Sequence, residues 1–307
     1  MQKIKMGILD FGYRAKSASG IKILTDVFEY SSLADELGFF CYWLSEHHNS
    51  GQAWSNPEML IPLLAGRTNK ISIGLAGILL AAHSPYRIAL NFKLLESIFP
   101  GRIDLGLANA PTHLHIVQKL LSNITLDNTY RESFDSKVNE LLKYLGNADE
   151  LLRSEKLLIP PFHGANPRIW KLSNSFNGIE ECLQKKMNLC KSVFHSNEPD
   201  VFERDRIVDF RERYILKNKT APKITIAFSG ICEKDSKNAR RTFNNLGLRN
   251  SQNSTKYMVG CPALFKDRIL EIKEKSSINE FIFCDQSLSF KKRMETLLLL
   301  SREFELN

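Results

Sequence analysis

Short apolar runs rich in Ile, Leu, Val and Phe recur along the chain, each followed by a longer stretch with helical spacing. The pattern predicts strands at 4–10, 39–45, 71–80, 102–108, 168–173, 189–194, 223–230 and 280–284. Helical patterns fall between them at 23–37, 57–68, 85–98, 131–146, 175–187, 198–216, 233–246 and 262–276, with a last one at 287–304. Strands with so little polar alternation require burial on both faces, which parallel strands beneath helices provide. Eight strands in β-then-α order predict an α/β fold, a single (β/α)8 TIM-type barrel over residues 1–307. An open doubly wound sheet is the weaker alternative, because Gly7-Ile8-Leu9-Asp10-Phe11-Gly12 lacks the G-x-G-x-x-G spacing. Residues 109–130 and 147–167 are the least patterned, and Pro160-Pro161 and Asn166-Pro167 break any helix there. They read as irregular loops within one domain.

Composition narrows the class. With 307 residues and 43% apolar content the chain can bury a large core, which excludes disorder. The longest nearly apolar stretch, Ile71 to Ala82, contains two Gly and a Ser and is too short to cross a bilayer. The N-terminus reaches Asp10 before a signal-peptide core is complete, so a cytoplasmic protein without membrane attachment is expected. Cysteines at 41, 182, 190, 232, 261 and 284 form no Cys-x-x-Cys pair and read as reduced core thiols.

Charge is uneven. Residues 1–150 carry 14 Lys/Arg and 15 Asp/Glu, whereas residues 151–307 carry 28 and 19. Acids are interspersed with the excess bases, as in Glu203-Arg204-Asp205-Arg206, which argues against nucleic acid. The later βα units are expected to meet something acidic.

In such a barrel, chemistry sits at the C-terminal ends of the strands. Strand 2 ends in Ser45-Glu46-His47-His48-Asn49, and alternation puts Glu46 and His48 on one face and His47 on the other. Adjacent histidines lack the spacing of a zinc helix, so proton handling is the natural use and no metal is expected. Strand 3 ends in Gly74-Leu75-Ala76-Gly77, where small residues either admit a flat ligand or relieve crowding inside the barrel. Strand 4 ends in Ala108-Asn109. His113-Leu114-His115 resembles a metallohydrolase pair but follows the wrong strand. Ser173-Asn174-Ser175-Phe176-Asn177-Gly178 opens a helix and reads as an N-cap or a phosphate site, with the N-cap favoured.

These residues together resemble the bacterial luciferase-like family of flavin-dependent oxidoreductases. The resemblance runs through Ala34-Asp35-Glu36-Leu37-Gly38-Phe39, Tyr42-Trp43-Leu44-Ser45-Glu46-His47-His48 and Asn56-Pro57. It continues through Arg67-Thr68-Asn69-Lys70-Ile71, His83-Ser84-Pro85-Tyr86-Arg87 and Pro100-Gly101-Arg102-Ile103-Asp104, with weaker echoes at Pro167 to Ser175 and at Val259-Gly260-Cys261-Pro262. It implies FMN at the C-terminal mouth and a homodimer. It also implies catalytic roles for His47, Glu46 and His48, and a non-prolyl cis peptide at Ala76-Gly77 under the flavin. Ser173, Asn174, Ser175 and Asn177 would lie at the FMN phosphate, with Ala108 and Asn109 beside the cofactor.

The chain departs from the family in carrying Asn109 where many relatives have an arginine and Ala108 where luciferase has a cysteine. A loosely held, reduced flavin supplied by a reductase partner is therefore expected, with deazaflavin a lesser alternative. The expected activity is monooxygenation or hydride reduction of a secondary metabolite or modified peptide, dehydroamino acids included. The competing expectation is a non-catalytic flavin-binding subunit of a heterodimer.

Overall fold

The computed structural model describes residues 3–13, 19–48, 51–109, 130–196, 201–247 and 256–307. Eight parallel strands close on themselves: β1 (Lys5–Asp10), β2 (Cys41–Leu44), β3 (Ser72–Ile78), β4 (Ile103–Leu107), β5 (Arg168–Ser173), β6 (Asn188–Ser192), β7 (Ile224–Cys232) and β9 (Glu280–Asp285). The β6–β7 and β9–β1 pairings complete the ring, so the doubly wound alternative is excluded. Helices α1 (Gly20–Glu36), α2 (Ile61–Arg67), α3 (Pro85–Ile98), α4 (Tyr130–Tyr144), α5 (Ala148–Glu155), α6 (Ile179–Lys185), α7 (Arg204–Asn218), α8 (Ser236–Asn245), α9 (Pro262–Ser276) and α10 (Phe290–Phe304) follow the strands. Among the described residues no helix is long and apolar enough to cross a membrane.

A short additional strand, β8 (Tyr257–Gly260), was not expected from the sequence. Strand β7 pairs β6 through 224–227 and β8 through 229–232, while β9 runs beside 225–230. Because Ser229 and Gly230 pair with β8 and β9 at once, β8 takes the edge that β6 leaves free and extends the wall at the C-terminal rim. A side chain at Gly230 would collide with the Met258 carbonyl, so glycine is what permits this approach.

Other differences have local causes. Residues 147–167 are not wholly irregular: Asn147 caps α5 by accepting from the Asp149 and Glu150 amides at 2.9 and 3.1 Å. Helix α6 begins at Ile179, later than expected, with Gly178 as its cap. The pattern at 57–68 divides into a 3-10 turn (Pro57–Met59) and α2, and strand 3 ends at Ile78 before another such turn (Leu80–Ala82).

Two apolar layers result. Met6, Ile8, Tyr42, Leu44, Ile73, Leu75 and Leu105 face the helices, whereas Leu9, Phe11, Cys41, Trp43, Trp170, Cys190, Ala227, Ile282 and Cys284 fill the barrel. All six thiols are free; five are buried and Cys261, the residue before α9, is partly exposed. Burial raises the buried five, to about 12 for Cys182 and Cys190, while the Ser236 hydroxyl and nearby amides lower Cys261.

Much of the motif that carries the family resemblance serves this scaffold. Asp35 accepts the Asn69, Lys70 and Ile71 amides at 2.6, 2.9 and 2.7 Å, tying α1 to the approach to β3. Arg102 donates to the Ala65, Thr68 and Ile71 carbonyls and braces the same corner from β4.

Candidate functional site at the barrel mouth

The barrel is plugged from below. Asp104, buried inside, accepts from Trp43 Nε1 at 3.0 Å, Trp170 Nε1 at 2.8 Å and Arg168 Nε at 2.7 Å. Any reactive space therefore lies above this layer, at the C-terminal rim.

There the structure divides the Glu46-His47-His48 run as alternation requires. His47 turns inward and stacks on Phe11, with ring centroids 5.0 Å apart. Glu46 is buried on the other side, where Oε1 lies 2.7 Å from His48 Nε2 and 2.8 Å from His83 Nε2, and Oε2 accepts the Leu79 amide at 2.8 Å. Burial alone would raise the Glu46 carboxyl, but bonds to His48, His83 and the Leu79 amide outweigh it and hold the group at about 2. Burial opposes a charged His83, yet the bond and charge of Glu46 prevail and raise it above the ordinary imidazole range. From α4, Lys137 donates to the Ala81 and His83 carbonyls at 2.5 and 2.9 Å, fixing the 79–83 segment. Glu46 is thus a permanently charged bracket for this segment and for His48, and only His47 of the three is among the aromatic residues of the mouth.

The adjoining wall, built from β3 and the end of β4, carries small residues. The Ala76–Gly77 peptide is cis, as the resemblance implied. A Cβ at Gly77 would meet Leu172 Cδ1 at 2.4 Å and the Gly106 carbonyl at 2.9 Å, and Ala108 adds only a methyl. Asn109 and Asn174 are exposed beside this surface, and Ser173 and Ser175 are half-buried. Ser173 and Ser175 do not cap α6. Their hydroxyls accept the Ser175 and Asn177 amides at 3.2 and 3.3 Å, folding the segment into consecutive turns ahead of the helix. Exposed Asn177 lies 3.5 Å from Arg206 Nη1.

Sequence reasoning missed several residues at the rim. Tyr13 stacks on Phe11 at 5.1 Å, Phe194 meets Phe11 edge-on at 6.3 Å, and His195 lies against Phe194 with Nδ1 2.9 Å from Ser192 Oγ. Gln286 donates to Ser229 Oγ at 2.7 Å below them. Continuing the inward alternation of β6 beyond Ser192 would have marked Phe194. His113 and His115 lie outside the described residues, and among the described residues no cluster of ligands could hold a metal ion. Two clefts lie elsewhere: about 450 Å³ between β8 and α9, and about 540 Å³ at the floor beside Arg168, Lys186 and Lys223.

Comparison with known proteins bears on the family and the fold. A family model described as luciferase-like monooxygenase matches residues 6–118. The N-acetyl-S-alkylcysteine monooxygenase of Bacillus subtilis is 29% identical over 208 residues, 66% of this chain and 61% of that protein. The chain spans about half the length of the curated relatives it matches. Among solved structures, apo-MsnO8 superposes with a TM-score of 0.83 at 20% identity over 99% of both chains. The oxygenating constituent of 3,6-diketocamphane monooxygenase of Pseudomonas putida, a type II Baeyer-Villiger enzyme in complex with FMN, gives 0.73 at 16% identity over 99% and 98%. Both likenesses concern the fold.

Proposed function

Because the chain belongs to the luciferase-like family of flavin oxidoreductases, we propose that it is a flavin-dependent monooxygenase that binds FMN at the C-terminal mouth. The observation that carries this reading is His47, held on Phe11 at the rim, together with the adjoining wall of Ala76, Gly77, Gly106 and Ala108. A flat ring system can lie against such a wall because its side chains are no larger than a methyl at Ala76 and Ala108, with Leu172 packed beside Gly77. The 173–177 turns beside it offer hydroxyl and amide groups for a phosphate, and exposed Asn109 supplies an amide in place of a charge.

When bound and reduced, FMN supplies two electrons to O₂, so that one oxygen atom enters the substrate and the other leaves as water. The protein's part is placement. Phe11, Tyr13 and Phe194 form an apolar shelf for the substrate and exclude water, and His47 presents an imidazole where a proton is held or passed. Glu46, turned away from the mouth, fixes the segment that carries His83, and acts as a positioning residue. A neutral Asn109, where many relatives carry an arginine, favours FMN as a cosubstrate exchanged with a reductase.

Titrating the purified protein with FMN, followed by absorbance near 450 nm, tests the site. The expected result is saturable binding at micromolar concentration that weakens at least tenfold when Gly77 is replaced by Val; binding indifferent to that change would remove the wall from the site. Turnover with reduced FMN should require O₂ and fall at least a hundredfold in His47→Ala. Product formed under strict anaerobiosis would instead identify hydride reduction, as for a dehydroamino acid. Binding without turnover of either kind would identify a non-catalytic subunit.

A further inference from the structure

The mouth holds a second imidazole to which the reading above gives no task. His195 follows β6 by three residues and faces the same aromatic pair as His47: His47 stacks on Phe11, Phe11 meets Phe194, and Phe194 touches His195 at 4.2 Å between centroids. Its Nδ1 is engaged by Ser192 Oγ at 2.9 Å, which among the described residues leaves Nε2 as the ring nitrogen available to a ligand. Among the described residues, the charged groups acting on it are His47 at the end of β2 and Lys256 just before β8, both of them bases.

We propose that His195 is a substrate-binding residue that donates a hydrogen bond from Nε2 to an acceptor oxygen, carbonyl or carboxylate, on an otherwise apolar substrate. His195 is exposed at the rim, yet the protein packed around its ring and the two basic groups, His47 and Lys256, disfavour protonation and lower it from the ordinary imidazole value. A neutral imidazole has one N–H. The 2.9 Å contact fits either tautomer, and the one proposed has the Ser192 hydroxyl donating to Nδ1 and the ring hydrogen on Nε2. The Phe11 and Phe194 rings supply apolar contact for the rest of the molecule, and the two bases favour an oxygen acceptor over an ammonium group.

The inference depends on the flavin reading only for what happens to the substrate afterwards, so the test uses the protein without flavin. Three phenyl compounds, acetophenone, benzoate and benzylamine, are titrated while the imidazole proton signals are followed by NMR, with His195 assigned from His195→Phe. Acetophenone or benzoate should shift the His195 signal at millimolar concentration and benzylamine should not; which of the first two binds more tightly separates carbonyl from carboxylate recognition. Affinity should fall at least tenfold in His195→Phe, fall several-fold in Ser192→Ala, and recover in part in His195→Asn, whose amide restores a donor. Nitrogen shifts of the wild-type ring should report the Nε2–H tautomer. Equal binding of benzylamine, affinity unchanged in His195→Phe, or an Nδ1–H ring would overturn the proposal. Failure of FMN binding in the separate titration, with these results intact, would overturn the flavin reading alone.

Discussion

Glu46 shows how a single carboxylate can serve a site without entering it. Its charge is held at a pKa of about 2, so its contribution to folding is complete above the unfolded value of 4.5 and fades as pH falls towards 2. His83 is held above its unfolded value of 6.5, so its share is complete below that pH and fades as pH rises through the folded value. The pair therefore stabilises most between pH 4.5 and 6.5. Glu46→Ala should cost about 3 kcal/mol, because two imidazoles and the Leu79 amide lose a buried acceptor. Urea unfolding of wild type and variant should show a wider gap at pH 5.5 than at pH 8.5; an equal gap would mean that His83 does not charge. His47 was legible at this scale because alternation along β2 alone separates it from its neighbours. His195 was not, since a residue beyond a strand end has no periodicity to place it.

Among the elements, most barrel strands were readable because they are apolar runs buried on both faces, whereas β5, with Trp170 its only buried residue, was readable from its place between helical patterns. Strand β8 was not: Tyr257, Met258 and Val259 are only half-buried, and four residues give too short a period to count. Helix α5 was missed for a related reason, since Leu151 is its buried residue and one apolar position makes no stripe. Yet β8 shapes the rim, and Gly230 is the residue that admits it. A methyl group there would approach the Met258 carbonyl to 1.7 Å, a backbone contact that no rotamer change relieves. Gly230→Ala should therefore destabilise the protein by about 3 kcal/mol or detach β8 locally. Hydrogen exchange distinguishes the two, because local detachment speeds exchange at 257–260 and leaves β1 to β6 protected; unchanged exchange and stability would contradict the packing described.

At the scale of the molecule, part of the basic charge of the second half is met within the chain, while the excess of 28 bases over 19 acids stays open to an acidic partner. Its bases meet acids on the same outer faces: Lys171 and Lys185 at Glu181, Arg213 at Glu180 and Asp209, Arg268 and Lys275 at Glu271, Lys292 at Glu233. Such exposed pairs contribute about 0–1 kcal/mol each and are screened by salt. If the remaining charge is only solvated surface, KM should change less than twofold between 50 and 500 mM NaCl; a larger rise would support an acidic partner.

The distribution of thiols bears on survival under the chemistry proposed. Reduced flavin that reacts with O₂ without a substrate releases hydrogen peroxide, which attacks thiolates far faster than thiols. Five cysteines are shielded both by the fold and by their raised pKa, whereas Cys261 alone combines partial exposure with a lowered one. Brief treatment of the native protein with a maleimide should attach one label per chain, at Cys261, as intact-mass spectrometry would record. A dye placed there sits next to Gly260, the last residue of β8, and would turn opening of the rim into an optical signal.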